Sequence, residues 1–206
     1  MTDEHDRRHG GLKPPGHDAD FWDQRYTETD RLWSAEPNAT IAEVIGSWPP
    51  GRALDFGAGE GRHAAWLASL GWQATAVDFS AVGIERGRAS ADAAGLDVEW
   101  VVADVHTWEP PPGTTYDLVL VAYLHLADDV LDRVRDWLAP GGALVVLGHA
   151  KRNLTDGVGG PQDARLLYDE DQLAVAADGL RVERLAEVLR PTADGTAIDV
   201  LLVARR

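Results

Sequence analysis

The stretch LDFGAGEGRHAAWLASLGWQATAVDFS, residues 54–80, limits the fold more than any other part of the 206-residue chain. An apolar run ends at Phe56, glycines follow at Gly57, Gly59 and Gly61, and a helix-competent segment begins near Arg62. Bare main chain between a strand and a helix lets a ligand lie against the backbone, and the helix N-terminus adds donors. A dinucleotide and a nucleoside carrying a positive charge both suit such a loop. A dinucleotide-binding turn calls for a third glycine at position 62. Arg62 stands there instead, so the small residue needed for close helix packing and for a pyrophosphate is missing. Asp78 closes the next apolar run, where a carboxylate can accept both hydroxyls of a ribose. Asp104 closes a third, in WVVADVH, and can accept from an exocyclic amine, which a dinucleotide does not need. The plainer alternative is that the glycines form only a tight turn and the two aspartates only cap helices.

The rest of the chain supplies the frame. After the break at WPPG, short apolar runs alternate with helical stretches, which predicts a parallel sheet covered on both faces. Strands are expected at 53–56, 73–78, 98–103, 116–123 and 143–147. Ser80 is a cap for a helix stopping at Gly95. In DDVLDRVRDWLAPGG, Val130, Leu131, Val134, Trp137 and Leu138 recur at helical spacing, with Pro140 and Gly141 expected to end that helix. A long loop is expected from 148 to 168, and Asp169 with Gln172 predicts a capping box after it. LRVERLAEV and TAIDVLLVARR, separated by the turn-rich LRPTADG, are read as a hairpin that adds an antiparallel strand.

Residues 1–20 combine charge, Gly and Pro with few apolar side chains and are expected to be a disordered tail. His5, His9 and His17 lie there at irregular spacing and are assigned no metal. Residues 21–206 form one expected domain, in which 21–50 are an N-terminal lid or helical extension, with Asn38 or Thr40 as helix cap. With 34 acidic and 19 basic side chains the net charge is −15, which disfavours nucleic acid and anionic membrane as partners. The absence of cysteine excludes disulfides, thiolate metal sites and a cysteine nucleophile. No apolar run approaches the ~20 residues of a membrane span and the N-terminus lacks the apolar core of a secretion signal, so a cytoplasmic location is expected.

Five segments in order resemble the class I S-adenosylmethionine-dependent methyltransferases: LDFGAGEGRHA, VDFS, ADVHTW, YDLVLVAYLHL and LAPGGALVV. The resemblance covers about residues 20–206. It implies an α/β, Rossmann-like sheet of seven strands, mostly parallel with an antiparallel last strand, and helices on both faces. It further implies that Gly57, Ala58 and Gly59 lie under the methionine part of S-adenosylmethionine, Asp78 holds the ribose, Phe79 packs on adenine, and Asp104 with the Val105 amide binds the adenine edge. Ala122, at the end of the fourth strand, is counted with them. Ala58 stands where many relatives have cysteine, a change that leaves a main-chain contact intact. WDQRY and WSAEPN are similar to the N-terminal lid of the tellurite-resistance and thiopurine methyltransferase group, which would set Trp33 over the sulfonium end; Trp33 as simple packing is the alternative.

Methyl transfer to a small molecule, with S-adenosylhomocysteine as product, needs chiefly alignment and exclusion of water. An oxygen acceptor, expected ahead of nitrogen or sulfur, gains from a base. His125 and His149 follow the fourth and fifth strands and are the catalytic candidates, each also open to a purely structural role. Tyr123 is a third, as donor or as packing, while Lys151, Arg152 and Arg165 suit either an anionic acceptor or a solvated loop. A nicotinamide-dependent oxidoreductase and a non-catalytic cofactor-binding module remain as rivals, and the oligomeric state is left open.

Overall fold

A computed structural model describes residues 19–29, 34–124 and 130–206. Helix α1 (Ala19–Glu28) and helix α2 (Ala39–Ile45) precede strand β1 (Arg52–Phe56). Ala19 and Asp20, expected in the tail, belong to this first helix, whose Tyr26 is buried; the rest of the expected tail, with His5, His9 and His17, lies outside the described residues. Then follow α3 (Arg62–Ser69), β2 (Gln73–Asp78), α4 (Ala81–Ala93), β3 (Val98–Val102), β4 (Tyr116–Ala122), α5 (Val130–Val134) and β5 (Leu138–His149). A short α6 (Asn153–Asp156), α7 (Glu170–Ala176), β6 (Arg181–Thr192) and β7 (Gly195–Arg205) complete the chain.

The seven strands form one sheet in the order β3-β2-β1-β4-β5-β7-β6. The neighbours from β3 to β5 run parallel, and β7 is antiparallel to both β5 and β6. The strand period of two splits the apolar residues between the faces. Leu54, Phe56, Val119, Val121, Leu144, Val146, Val200 and Leu202 join the core cluster containing α5 and α7. Ala53, Leu118, Leu120, Val145, Leu147, Leu201 and Val203 join the one containing α2 and α3. Both faces are thus covered, which is why these strands read as continuous apolar runs.

Three helix starts follow the sequence reading. Asn38 Oδ1 accepts from the Thr40 and Ile41 amides, Ser80 Oγ accepts from the Gly83 amide, and Asp169 with Gln172 forms the full capping box. The helix containing Val134 ends sooner than expected: residues 135–137 tighten into a 3-10 turn and Leu138 is already strand, so Pro140 and Gly141 lie within β5. The segment 148–168 is more structured than a loop. It contains α6, a 3-10 turn at Ala164–Leu166, and a bridge between Ala150 and Tyr168. The hairpin strands meet at Thr192 and Gly195, leaving a two-residue connection. Among the described residues no helix is long and apolar enough to cross a membrane.

Candidate functional site

The carboxyl ends of β1, β2 and β4 open onto a cavity of about 550 Å³, which also takes side chains from α1, α4, the α2 entry and the hairpin. Its volume lies within the range of small-molecule pockets, roughly 300–1,000 Å³. Gly57, Ala58, Gly59, Asp78, Phe79, Ala122 and His149 all line it, so the sheet topology assembles seven of the residues singled out in the sequence.

Gly57 and Gly59 take positive φ angles of 79° and 58°. A Cβ at Gly57 would lie 2.6 Å from Leu124 Cδ1, so both conformation and space require glycine there. Asp78 closes the turn: its Oδ2 accepts from the Gly59 amide at 2.8 Å and its Oδ1 from the Ser80 amide at 2.8 Å. Burial raises its pKa, and those amides oppose the rise. Two carboxylate oxygens carry about four acceptor positions, so the pair of amides leaves room for a pair of hydroxyls. A glycine-lined wall ending in such a carboxylate fits an adenosine-type cofactor.

Asp104 and Val105 do not line the cavity. Asp104 Oδ1 accepts from the His106 amide at 3.0 Å and lies 2.7 Å from His106 Nδ1, while the Val105 carbonyl accepts from Arg133 at 2.9 Å. His106, two residues along, is the member of that segment that reaches the cavity wall. Trp33 and His125 lie outside the described residues.

The opposite side of the cavity holds a buried polar network that sequence reasoning missed except for Tyr123 and His149. Asp199 is fully buried, and its Oδ2 accepts from the Tyr123 hydroxyl at 2.7 Å and from Arg190 Nε at 2.7 Å. His149 Nδ1 lies 3.1 Å from Asp199 Oδ1. The Asn38 amide group donates to the Tyr123 hydroxyl at 2.9 Å, tying the cap of α2 into the same network. Tyr123 has a φ of 56°, the one positive value outside glycine among the described residues. Burial raises the Tyr123 pKa, reinforced by the Asp199 charge, so the phenol stays protonated. A signal existed: Asp199 interrupts the apolar run AIDVLLVA, and a lone acid in such a strand must find buried partners. The partners themselves come from the residue after β4 and from β5 and β6, which only the strand order brings together.

The cations of segment 148–168 are paired with neighbouring acids. Lys151 Nζ is 2.7 Å from Asp169, Arg152 is 2.6 Å from Glu187, and Arg165 is 2.6 Å from Asp163. None of the three lines the cavity.

Residues 53–142 match the methyltransferase domain family. The sheet order with the antiparallel β7 gives the chain a Rossmann-like fold shared with solved methyltransferases. It resembles TehB from Haemophilus influenzae at 17% identity and a TM-score of 0.66, over 91% of this chain and 66% of that one. It also resembles the N-methyltransferase NodS from Bradyrhizobium japonicum WM9, solved in complex with S-adenosyl-L-homocysteine, at 18% identity and a TM-score of 0.66, over 89% of this chain and 96% of that one. In sequence it is 36% identical over 109 residues to a protein-L-isoaspartate O-methyltransferase of Methylorubrum populi, covering 52% of this chain and 50% of the relative. The chain spans about half the length of the curated relatives it matches.

Proposed function

We propose that the chain transfers a methyl group from S-adenosylmethionine to a small molecule, with oxygen as the acceptor atom. One observation carries this reading: the glycine loop with Asp78 and the His149–Asp199 pair line or adjoin the same cavity. The name of the Methylorubrum populi relative supports an oxygen acceptor.

When bound, the cofactor supplies an activated methyl group on a sulfonium centre. The main chain at Gly57, Ala58 and Gly59 bears the amino-acid end, Asp78 accepts from the ribose, and Phe79 with Ala122 packs the nucleoside; Asp104 and the Val105 amide remain assigned to the adenine edge, and Trp33 to the lid. His149 acts as the base. Asp199 Oδ1, 3.1 Å from Nδ1, favours the tautomer that keeps its proton on Nδ1, which leaves Nε2 as the acceptor nitrogen for a hydroxyl proton. His125 remains a second candidate for that role. The Asp199 pairing favours His149 over it.

The test is incubation with methyl-labelled S-adenosylmethionine and a panel of hydroxylated, amino and thiol compounds. Label on a hydroxyl compound, with release of S-adenosylhomocysteine, is expected. Cofactor binding without any transfer would favour a non-catalytic module, and a thermal shift produced by NAD alone would favour an oxidoreductase.

A further inference from the structure

Three arginines, Arg62, Arg86 and Arg190, line the cavity of a chain whose net charge is −15. They are not equally compensated. Arg86 lies 3.8 Å from Glu60 and donates to the Thr29 carbonyl. Arg190 donates Nε to Asp199, but that carboxylate is shared with Tyr123 and His149. Arg62 has no carboxylate within 4.0 Å among the described residues; its side-chain hydrogen bond goes to Ser34 Oγ at 3.2 Å. Asp55 faces it from β1, yet burial pushes that carboxyl up to about 7, so near neutral pH it supplies only part of a charge. Arg62 itself is partly buried, and burial depresses its pKa while Arg190 adds like-charge repulsion.

Arg62 and Arg190 thus line one cavity and act electrostatically on each other and on Tyr123, while Asp199 divides its charge among three partners. The Arg190 guanidinium carbon stands 5.6 Å from the Tyr123 ring centroid, and the His149 ring centroid is 5.0 Å from the same ring. A desolvated guanidinium without a counter-ion is costly, and its planar fork matches a carboxylate in two parallel hydrogen bonds. Loop cations cannot serve instead, since Lys151, Arg152 and Arg165 are each neutralised by an adjacent acid.

We infer that the methyl acceptor carries a carboxylate, distinct from its methylated hydroxyl, which seats between Arg62 and Arg190 beside His149. This rests on the methyltransferase reading. The carboxylate of the cofactor's own amino-acid end is the competing source of the same chemistry, and the test separates the two.

Calorimetric titration of the S-adenosylhomocysteine-saturated chain would use matched acid and amide pairs: 4-hydroxybenzoate with 4-hydroxybenzamide, and 3-hydroxybutyrate with 3-hydroxybutyramide. In at least one pair the acid should bind about tenfold or more tightly than the amide, the scale of one charge-assisted pair. Arg62→Gln and Arg190→Gln should each reduce that preference to within about threefold while the affinity for S-adenosylhomocysteine changes by less than that factor. Arg62→Lys, which retains the charge without the fork, should keep part of the preference and guards against a folding defect in the glutamine variant. Acid and amide binding equally in every pair, or neither binding, overturns the inference. So does an intact preference in Arg62→Gln accompanied by at least about tenfold weaker S-adenosylhomocysteine binding, which would assign Arg62 to the cofactor. Failure of the wild-type chain to bind S-adenosylhomocysteine would remove the methyltransferase reading instead, and the acid–amide comparison on the ligand-free chain would still test the arginine pair.

Discussion

The Tyr123 hydroxyl donates to Asp199 Oδ2 at 2.7 Å, joining the end of β4 to the middle of the antiparallel strand β7. Burial alone would raise the Asp199 carboxyl, yet His149 at 3.1 Å and hydrogen bonds from Arg190 and Tyr123 hold it below the usual carboxylate range. One ionised group thus fixes three side chains around the cavity. Asp199→Asn should lower kcat by about 10²–10⁴, the range of a general base, and leave S-adenosylhomocysteine affinity within about threefold. It should also destabilise the fold by about 1–3 kcal/mol, because the partly exposed Arg190 loses the charge of its hydrogen-bond partner. Steady-state kinetics with a methyl acceptor, paired with urea unfolding, separate the two effects; an unchanged kcat would remove the His149–Asp199 pair from the chemistry.

Gly57→Ala acts on the other side of the cavity. The new methyl meets Leu124 at 2.6 Å on a residue with φ of 79°, so the loop or Leu124 has to move. The strained backbone costs about 1–3 kcal/mol, and calorimetry should show S-adenosylhomocysteine binding weakened by at least about tenfold. Binding at wild-type strength would mean that the loop does not support the cofactor.

Two buried titratable groups give stability opposite pH dependences. His63 Nε2 accepts from the Asn38 amide at 3.2 Å, and burial, with help from Arg62, lowers its pKa from 6.5 to about 3. The unfolded chain takes up that proton first, so stability is whole above pH 6.5 and falls as pH drops toward 3. At about pH 4.5 the loss from this residue is roughly 2–3 kcal/mol, and His63→Gln, whose amide oxygen can replace Nε2 as acceptor, should remove it. Asp55 works the other way. Burial raises its carboxyl from 3.8 to about 7 against the Ala64 amide and Arg62, so the folded chain retains a proton that the unfolded chain gives up. Its penalty grows from pH 3.8 to about 7 and then levels, and Asp55→Asn should flatten that limb. Urea unfolding of the three proteins across this range reads both slopes.

Local chemistry made much of this fold legible. Asn38, Ser80 and Asp169 announced helix starts because a short polar side chain before an apolar period has one common use. Gly57 and Gly59 marked the loop because positive φ selects glycine. What stayed hidden depends on long-range order. Asp199 meets Tyr123, His149 and Arg190 only because β7 inserts between β5 and β6, and no local pattern encodes that insertion. Lys151 and Arg152 suit an anionic acceptor or a solvated loop in the sequence, whereas folding brings Asp169 and Glu187 to them; Arg165 pairs locally with Asp163. Leu138 suits either the helical or the strand period, and its pairing with Tyr116 decides for strand.

Titration of S-adenosylhomocysteine into the intact chain, wild type and Asp78→Ala, tests most directly whether the glycine loop and Asp78 grip an adenosine cofactor. Saturable binding at one site per chain, with Kd of about 1–100 μM and at least about tenfold weaker in Asp78→Ala, is the predicted result. No saturable heat from a folded wild-type chain, or equal affinity in the two proteins, would contradict it.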